Sequence, residues 1–260
     1  MSKLAFFQVS IDTLHRNRMV RVYLPTDYFN SKQKFDVLYM HDGHNLFDPK
    51  TSAYGKIWNV HQTLDAIEQQ YGRNLIVVGI DCDSKYRLNE YSPWPMEASF
   101  FKKKRDLSGV VGGEGKLYLE WLVNTLIPEI NNRYKTSHVN YMAGSSMGGL
   151  ISLYAGLTYP SVFSKIGCFS SAFWFSPNNL KTLIRSTLPT NLSIYLDVGS
   201  KETKNLLENY FYVHDSKVIL RLLRKQGFQN LKFIIEKGAN HSEEAWARRF
   251  PGFVKWLIQI

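Results

Sequence analysis

The chain has 260 residues, 44% of them hydrophobic and 21% charged, with a formal net charge of +10. That composition is globular, and the length is enough to bury a large core, which excludes a disordered or collagen-like chain. No apolar run reaches the ~18 residues of a membrane-spanning helix, and two cysteines, Cys82 and Cys168, are too few for a disulfide framework.

The N-terminus turns polar at Gln8 and alternates like a strand, without the apolar stretch and small-residue cleavage site of a secretory signal. A reduced, cytoplasmic protein is the expectation. Two antiparallel strands are predicted first, over 6–11 and 19–24, with Pro25 closing the second. Apolar runs at 37–40, 75–80, 139–143, 166–169, 192–198 and 231–235 then read as strands covered on both faces, because they do not alternate with polar residues. Helical spacing lies between them. Val60, Leu64 and Ile67 share a face within 58–71, and Leu119, Leu122, Leu126 and Ile130 share one within 115–134, where Pro128 is placed to kink or split the helix. Further helices are expected over 147–157, 205–225 and 243–258. Alternating strand and helix, with no linker or repeat, predict one α/β domain over 1–260. It has a mostly parallel central sheet, antiparallel N-terminal strands and helices on both faces.

The sharpest local signal is Gly144-Ser145-Ser146-Met147-Gly148-Gly149, after one predicted strand and before a helix. A nucleophile on so tight a turn needs small residues two before and two after it, because strand and helix backbones crowd there. Ser146 has Gly144 and Gly148 at those places; Ser145 has Ala143 and the bulky Met147. Ser146 is therefore the candidate nucleophile, and the Met147 N–H, first on the helix, is a candidate oxyanion donor. The competing reading is a glycine-rich turn whose serines cap a helix.

A serine nucleophile needs an imidazole, and the imidazole an orienting acid, in the order serine, acid, histidine for this strand–turn–helix arrangement. Only His214 and His241 follow Ser146. His214 falls within a predicted helix and reads as a surface position, whereas His241 sits in a small-residue loop between strand and helix. That makes His241 the candidate base. Glu202, in Gly199-Ser200-Lys201-Glu202 beyond a strand end, is preferred as the acid over Asp197, which is nearer the sheet. Asp197 stays open as the alternative.

The loop Tyr39-Met40-His41-Asp42-Gly43-His44-Asn45-Leu46-Phe47 is placed to give the second oxyanion donor, the N–H of His44 or of Asn45. Its histidines do not share a helix face, and no metal or other cofactor is expected. The long stretch 81–115 carries Tyr86, Tyr91, Trp94, Phe100 and Phe101, with Arg87 and Glu90 placed to pair with each other. Trp94, Phe173 and Trp174 are candidates for an aromatic substrate wall, with ordinary core packing the equal alternative. Positive charge is scattered apart from Lys102-Lys103-Lys104-Arg105. No nucleic-acid motif accompanies that run, so neither a nucleic acid nor a membrane is expected as a partner. Self-association is left open.

Together Leu38-Tyr39-Met40-His41-Asp42-Gly43, Val78-Gly79-Ile80-Asp81, Glu90-Tyr91-Ser92-Pro93-Trp94, Gly144-Ser145-Ser146-Met147-Gly148-Gly149 and Gly199-Ser200-Lys201-Glu202 before His241 resemble the putative esterase (esterase D-like) family of α/β-hydrolases. That family includes feruloyl and acetylxylan esterases, enterochelin-type siderophore esterases and mycolyltransferases. The resemblance implies an α/β-hydrolase fold and a serine carboxylesterase that forms an acyl-serine on Ser146. His241 and either Glu202 or Asp197 would complete the triad, and the substrate would be a small-molecule ester. A siderophore trilactone esterase or an acyltransferase on the same site, and a catalytically silent binding protein on the same scaffold, are the alternatives.

Overall fold

The computed structural model describes residues 2–97 and 109–260. Phe100, Phe101 and the basic run Lys102 to Arg105 lie outside them. Eight strands form one sheet: β1 (Lys3–Ile11), β2 (Arg16–Leu24), β3 (Phe35–His41), β4 (Ile76–Ile80), β7 (Thr136–Ser145), β8 (Phe163–Phe169), β9 (Ser193–Gly199) and β10 (Leu231–Glu236). Their order across the sheet is β1-β2-β4-β3-β7-β8-β9-β10. β1 with β2, and β2 with β4, pair antiparallel; every other neighbouring pair is parallel.

The continuous apolar runs divide themselves between two cores. Successive side chains on a strand point to opposite faces, so Val37 and Tyr39 join one buried cluster while Leu38 and Met40 join the other. The Leu38 side is covered by α1 (Val60–Tyr71) and α8 (Glu243–Ile258), and the Val37 side by the remaining long helices. A sheet buried on both faces explains why the strands do not alternate in sequence.

The segment predicted as one helix over 115–134 is divided into α3 (Gly115–Trp121), a wider π turn at Leu122–Leu126, and α4 (Ile127–Arg133), with Pro128 in α4's first turn. Proline lacks the N–H for the ladder there, and the wider turn accommodates the gap. The stretch 81–115 holds α2 (Arg87–Glu90) and an antiparallel pair, β5 (Pro95–Glu97) and β6 (Val110–Gly112). α5 (Met147–Thr158) follows β7, α6 (Pro177–Ser186) follows β8, and α7 (Leu206–Gln226) joins β9 to β10. All the catalytic candidates follow the carboxyl ends of strands, at the edge where open α/β sheets hold their ligands.

Candidate active site

Ser146 stands between β7 and α5 with φ 58° and ψ −120°, a backbone conformation that side-chain-bearing residues rarely adopt. The crowding is mutual: a Cβ on Gly144 would lie 2.8 Å from the Gly148 carbonyl carbon, and one on Gly149 would lie 2.0 Å from Ser171 Oγ. Ser145 is buried in the strand, whereas Ser146 is half-exposed. Although Ser146 occupies the cap position of α5, its side chain makes no capping hydrogen bond. Its backbone is held from both sides, the N–H donating to Phe169 O at 2.9 Å and the carbonyl accepting from Ala172 N–H at 2.9 Å.

Glu202 and His241 meet. His241 Nδ1 lies 2.7 Å from Glu202 Oε2, and the His241 N–H donates to Glu202 O at 3.1 Å. The other carboxylate oxygen, Oε1, accepts from Ser170 Oγ at 2.6 Å and from the Gly199 N–H. Burial alone would raise this carboxyl's pKa, but the hydrogen bonds from His241, Ser170 and Gly199 outweigh it and hold the group below the ordinary glutamate value. Ser170 Oγ in turn accepts from Trp246 Nε1 at 3.0 Å and Arg249 Nη2 at 3.1 Å. These three residues were missed in the sequence. They lie far from Glu202 along the chain, and only the fold brings them under it.

Asp197 makes no contact with the imidazole. Its nearest cation is Arg249, with Nε 3.5 Å from Oδ2. Burial pushes its pKa up to about 7, against the pull of Arg249 and with a further push from the Glu202 charge.

On the other flank of Ser146, Asp42 has φ 56° and takes both prongs of Arg87, Nε to Oδ1 and Nη2 to Oδ2, each at 2.8 Å. Arg87 does not pair with Glu90, as its sequence position suggested. Glu90 is instead wholly buried against Arg16 and Arg18. A planar guanidinium matches a carboxylate's two oxygens, and a flank 45 residues away in sequence supplied the better geometry. Burial would raise the Asp42 pKa, yet Arg87 holds it below the usual value. His41 Nδ1 lies 3.1 Å from Tyr118 Oη, and burial pushes its pKa down to about 4.

The turn Gly43–Asn45 engages its N–H groups unequally. Asn45 N–H already donates to Asp42 O at 2.9 Å, while no acceptor takes the His44 N–H among the described backbone bonds. Gly43 is required because a Cβ there would meet the Gly79 carbonyl carbon at 2.6 Å. The Asn45 side chain reaches across the cleft, Nδ2 donating to Glu243 Oε1 at 3.3 Å.

The aromatic candidates divide. Trp174 is half-buried and its indole hydrogen-bonds the Tyr212 phenol, whose ring lies 5.3 Å from that of His241. Tyr212 lies on α7, where no sequence motif marks it. Phe173 is 2% exposed and belongs to the core, so it offers a ligand almost no surface. Trp94 packs edge-on against Tyr154 at 5.5 Å and lines a groove of about 350 Å³ with Asn179, Thr182, Leu183 and Ser186.

The whole chain is similar to known proteins. The putative esterase family matches residues 11–257. The chain belongs to that family. It is 32% identical over 249 residues to the protein YbbA of Bacillus subtilis (strain 168), covering 93% of this chain and 92% of YbbA. Among solved structures, an IroE-like serine hydrolase from Shewanella oneidensis superposes with a TM-score of 0.77 at 19% identity, covering 97% of this chain and 78% of that one. Siderophore hydrolase EstA from Aspergillus nidulans gives 0.73 at 18% identity, over 98% and 94% of the two chains. A ferulic acid esterase gives 0.70 at 16%, over 99% and 98%. The protein is a carboxylic ester hydrolase on an α/β-hydrolase fold.

Proposed function

We propose that this esterase is a serine carboxylesterase working through an acyl-serine, with Ser146 as nucleophile, His241 as base and Glu202 as the orienting acid. The observation that carries the reading is the uncapped hydroxyl of Ser146 on its strained turn, on the same sheet edge as the 2.7 Å Glu202–His241 contact. His241 Nε2 takes the Ser146 proton as Oγ attacks the ester carbonyl. The oxyanion is received by the N–H groups of Met147 and His44. Collapse of the intermediate transfers the proton from His241 to the departing alcohol, and water then releases the acid by the same steps. Glu202, held ionised, fixes the imidazole with Nε2 free for this work and stabilises it once charged.

Trp174 and Tyr212 supply the apolar wall beside the imidazole, and Trp94 a more distant groove. The free thiols Cys82 and Cys168 agree with a reducing cytoplasm. A siderophore trilactone is the favoured narrower substrate, supported by the siderophore hydrolases among proteins of the same fold. Hydrolysis of p-nitrophenyl acetate beside a panel of feruloylated sugars and catecholate trilactones, with Ser146→Ala in parallel, tests both levels. Activity surviving Ser146→Ala would sink the mechanism, and a trilactone turned over no faster than p-nitrophenyl acetate would sink the narrower substrate.

A further inference from the structure

The outward face of α7 is unlike the rest of the surface. Leu206, Leu207, Tyr210 and Phe211 are 85%, 63%, 60% and 46% exposed. At about 100° per residue they share with His214 an arc of roughly 140°. The opposite face buries Ile219, Leu220 and Leu223. Tyr210 stacks on His214 at 5.5 Å and meets Phe211 edge-on at 5.7 Å, so the exposed rings form one ordered patch. Further along, the same arc carries Lys217, Arg221, Arg224 and Lys225, all exposed. None of the ion pairs among the described residues engages these four cations. In sequence the charges look scattered. Their spacing of four, three and one places them on one stripe.

Single exposed apolar side chains are ordinary, but four together, followed along the same arc by a row of cations, present partners for both the apolar and the anionic parts of a lipid surface. We propose that this face docks the enzyme on an anionic lipid surface. The four apolar residues enter the boundary between headgroups and acyl chains, and the four cations pair with lipid phosphates. Charge complementarity selects this occupant. A second copy docked on this same face would set the cations against apolar side chains or other cations, since Asp215 beside the arc is already engaged by His214 at 3.2 Å. A nucleic acid would leave the apolar half of the helix uncovered. The expectation of no membrane partner rested on scattered charge and on the lack of a spanning segment, but a helix lying on a surface needs no span and gathers its charge only in helical projection. Docking here has a functional consequence, because the inner face of the same helix carries Tyr212 against His241. The cleft would be held beside a surface in which apolar esters concentrate. That consequence rests on the proposed esterase chemistry; the docking itself does not.

The test is flotation of the full chain with phosphatidylcholine vesicles and with mixed phosphatidylcholine–phosphatidylglycerol vesicles, at low and high salt. The protein is expected to float with the anionic vesicles only, and less so at high salt. Leu207→Asp with Phe211→Asp, and separately Lys217→Glu with Arg221→Glu, should each lower partitioning by about tenfold or more. Turnover of a soluble ester should be unchanged in both. No flotation with anionic vesicles, or flotation untouched by both double variants, overturns the proposal. So does a dimer in sizing experiments that Leu207→Asp with Phe211→Asp disperses, which would assign the face to a second copy. Flotation without any esterase activity would leave docking intact and remove the catalytic reading, so the two failures are distinct.

Discussion

The two flanks of Ser146 are each built around a buried carboxylate, and the two are used differently. Glu202 receives its hydrogen bonds from a serine hydroxyl, a backbone N–H and the ring of His241. Asp42 receives both prongs of Arg87, a group that never gives up its charge at ordinary pH. Both carboxyls stay ionised despite burial. Only Glu202 leaves one oxygen on an imidazole, and the mechanism we propose assigns acid–base work to that flank. The Asp42 flank can only hold backbone in place, here the left-handed turn that presents the His44 N–H. A buried carboxylate is thus read by its partner and not by its burial.

The largest expected effect lies on the acid–base flank. Glu202→Gln keeps the size of the side chain and removes the charge that stabilises a protonated His241, so kcat should fall about 10,000-fold with the fold intact. Asp197→Asn should stay within about tenfold of the parent, because that carboxyl touches Arg249 and not the imidazole. Steady-state rates on p-nitrophenyl acetate, with circular dichroism as the folding control, give the comparison. The reverse ranking would exchange the two residues' roles.

On the structural flank the expected signature is stability first. Arg87→Met strands the Asp42 charge in a buried site, which costs about 3–5 kcal/mol when one partner of such a pair is removed. Urea unfolding measures it. Arg87→Lys, which keeps charge but only one prong, should recover part of the loss. A fully stable Arg87→Met protein with a lower kcat would move Arg87 into direct contact with substrate and blur the contrast between flanks.

Asn45 joins the two flanks, since its amide links the His44 turn to Glu243 at the start of α8. Asn45→Ala should lower kcat by about tenfold to a hundredfold with little change in KM, the pattern of an oxyanion donor held in a less exact place. A KM effect alone would instead place Asn45 among the substrate contacts.

The sheet, the Ser146 turn and the His241 loop were legible in sequence because each depends on neighbours along the chain: apolar runs, flanking glycines, a loop between strand and helix. Glu202 was legible as a position beyond a strand end, which preferred it to Asp197 while leaving Asp197 open, and its contact with His241 came only with the fold. Ser170, Trp246, Arg249 and the Asp42–Arg87 pair were not legible, because each acts across the sheet edge on a residue distant in sequence. Arg87 shows the limit plainly. Its nearest carboxylate along the helix turn is Glu90, but Glu90 is claimed by Arg16 and Arg18 across the sheet edge. The outward stripe on α7 was missed for another reason. Its cations are regular only in a helical projection, and Val218 to Leu220 and then Leu222 and Leu223 separate them in the linear sequence.

The smallest effect separates Asp197 from Glu202 by pH. Burial raises the Asp197 pKa to about 7, above the ~4 of an unfolded aspartate. A carboxyl raised on folding binds its proton more tightly in the native state. Its contribution is therefore complete below pH ~4 and is lost as pH climbs through about 7, since the unfolded chain sheds that proton first. Arg249, 3.5 Å away, opposes the shift and limits its weight. Asp197→Asn stays neutral throughout. Between pH 5 and pH 8.5 it should lose on the order of 1–2 kcal/mol less stability than the parent, a few degrees in melting temperature. Glu202→Gln should show no such protection toward high pH, because the Glu202 pKa is lowered on folding and its contribution is present above ~4.3 and lost only toward acid. Parallel pH slopes for the parent and Asp197→Asn would mean that Asp197 is ionised in the fold, paired with Arg249, and that the Glu202–His241 contact stands beside a second full charge.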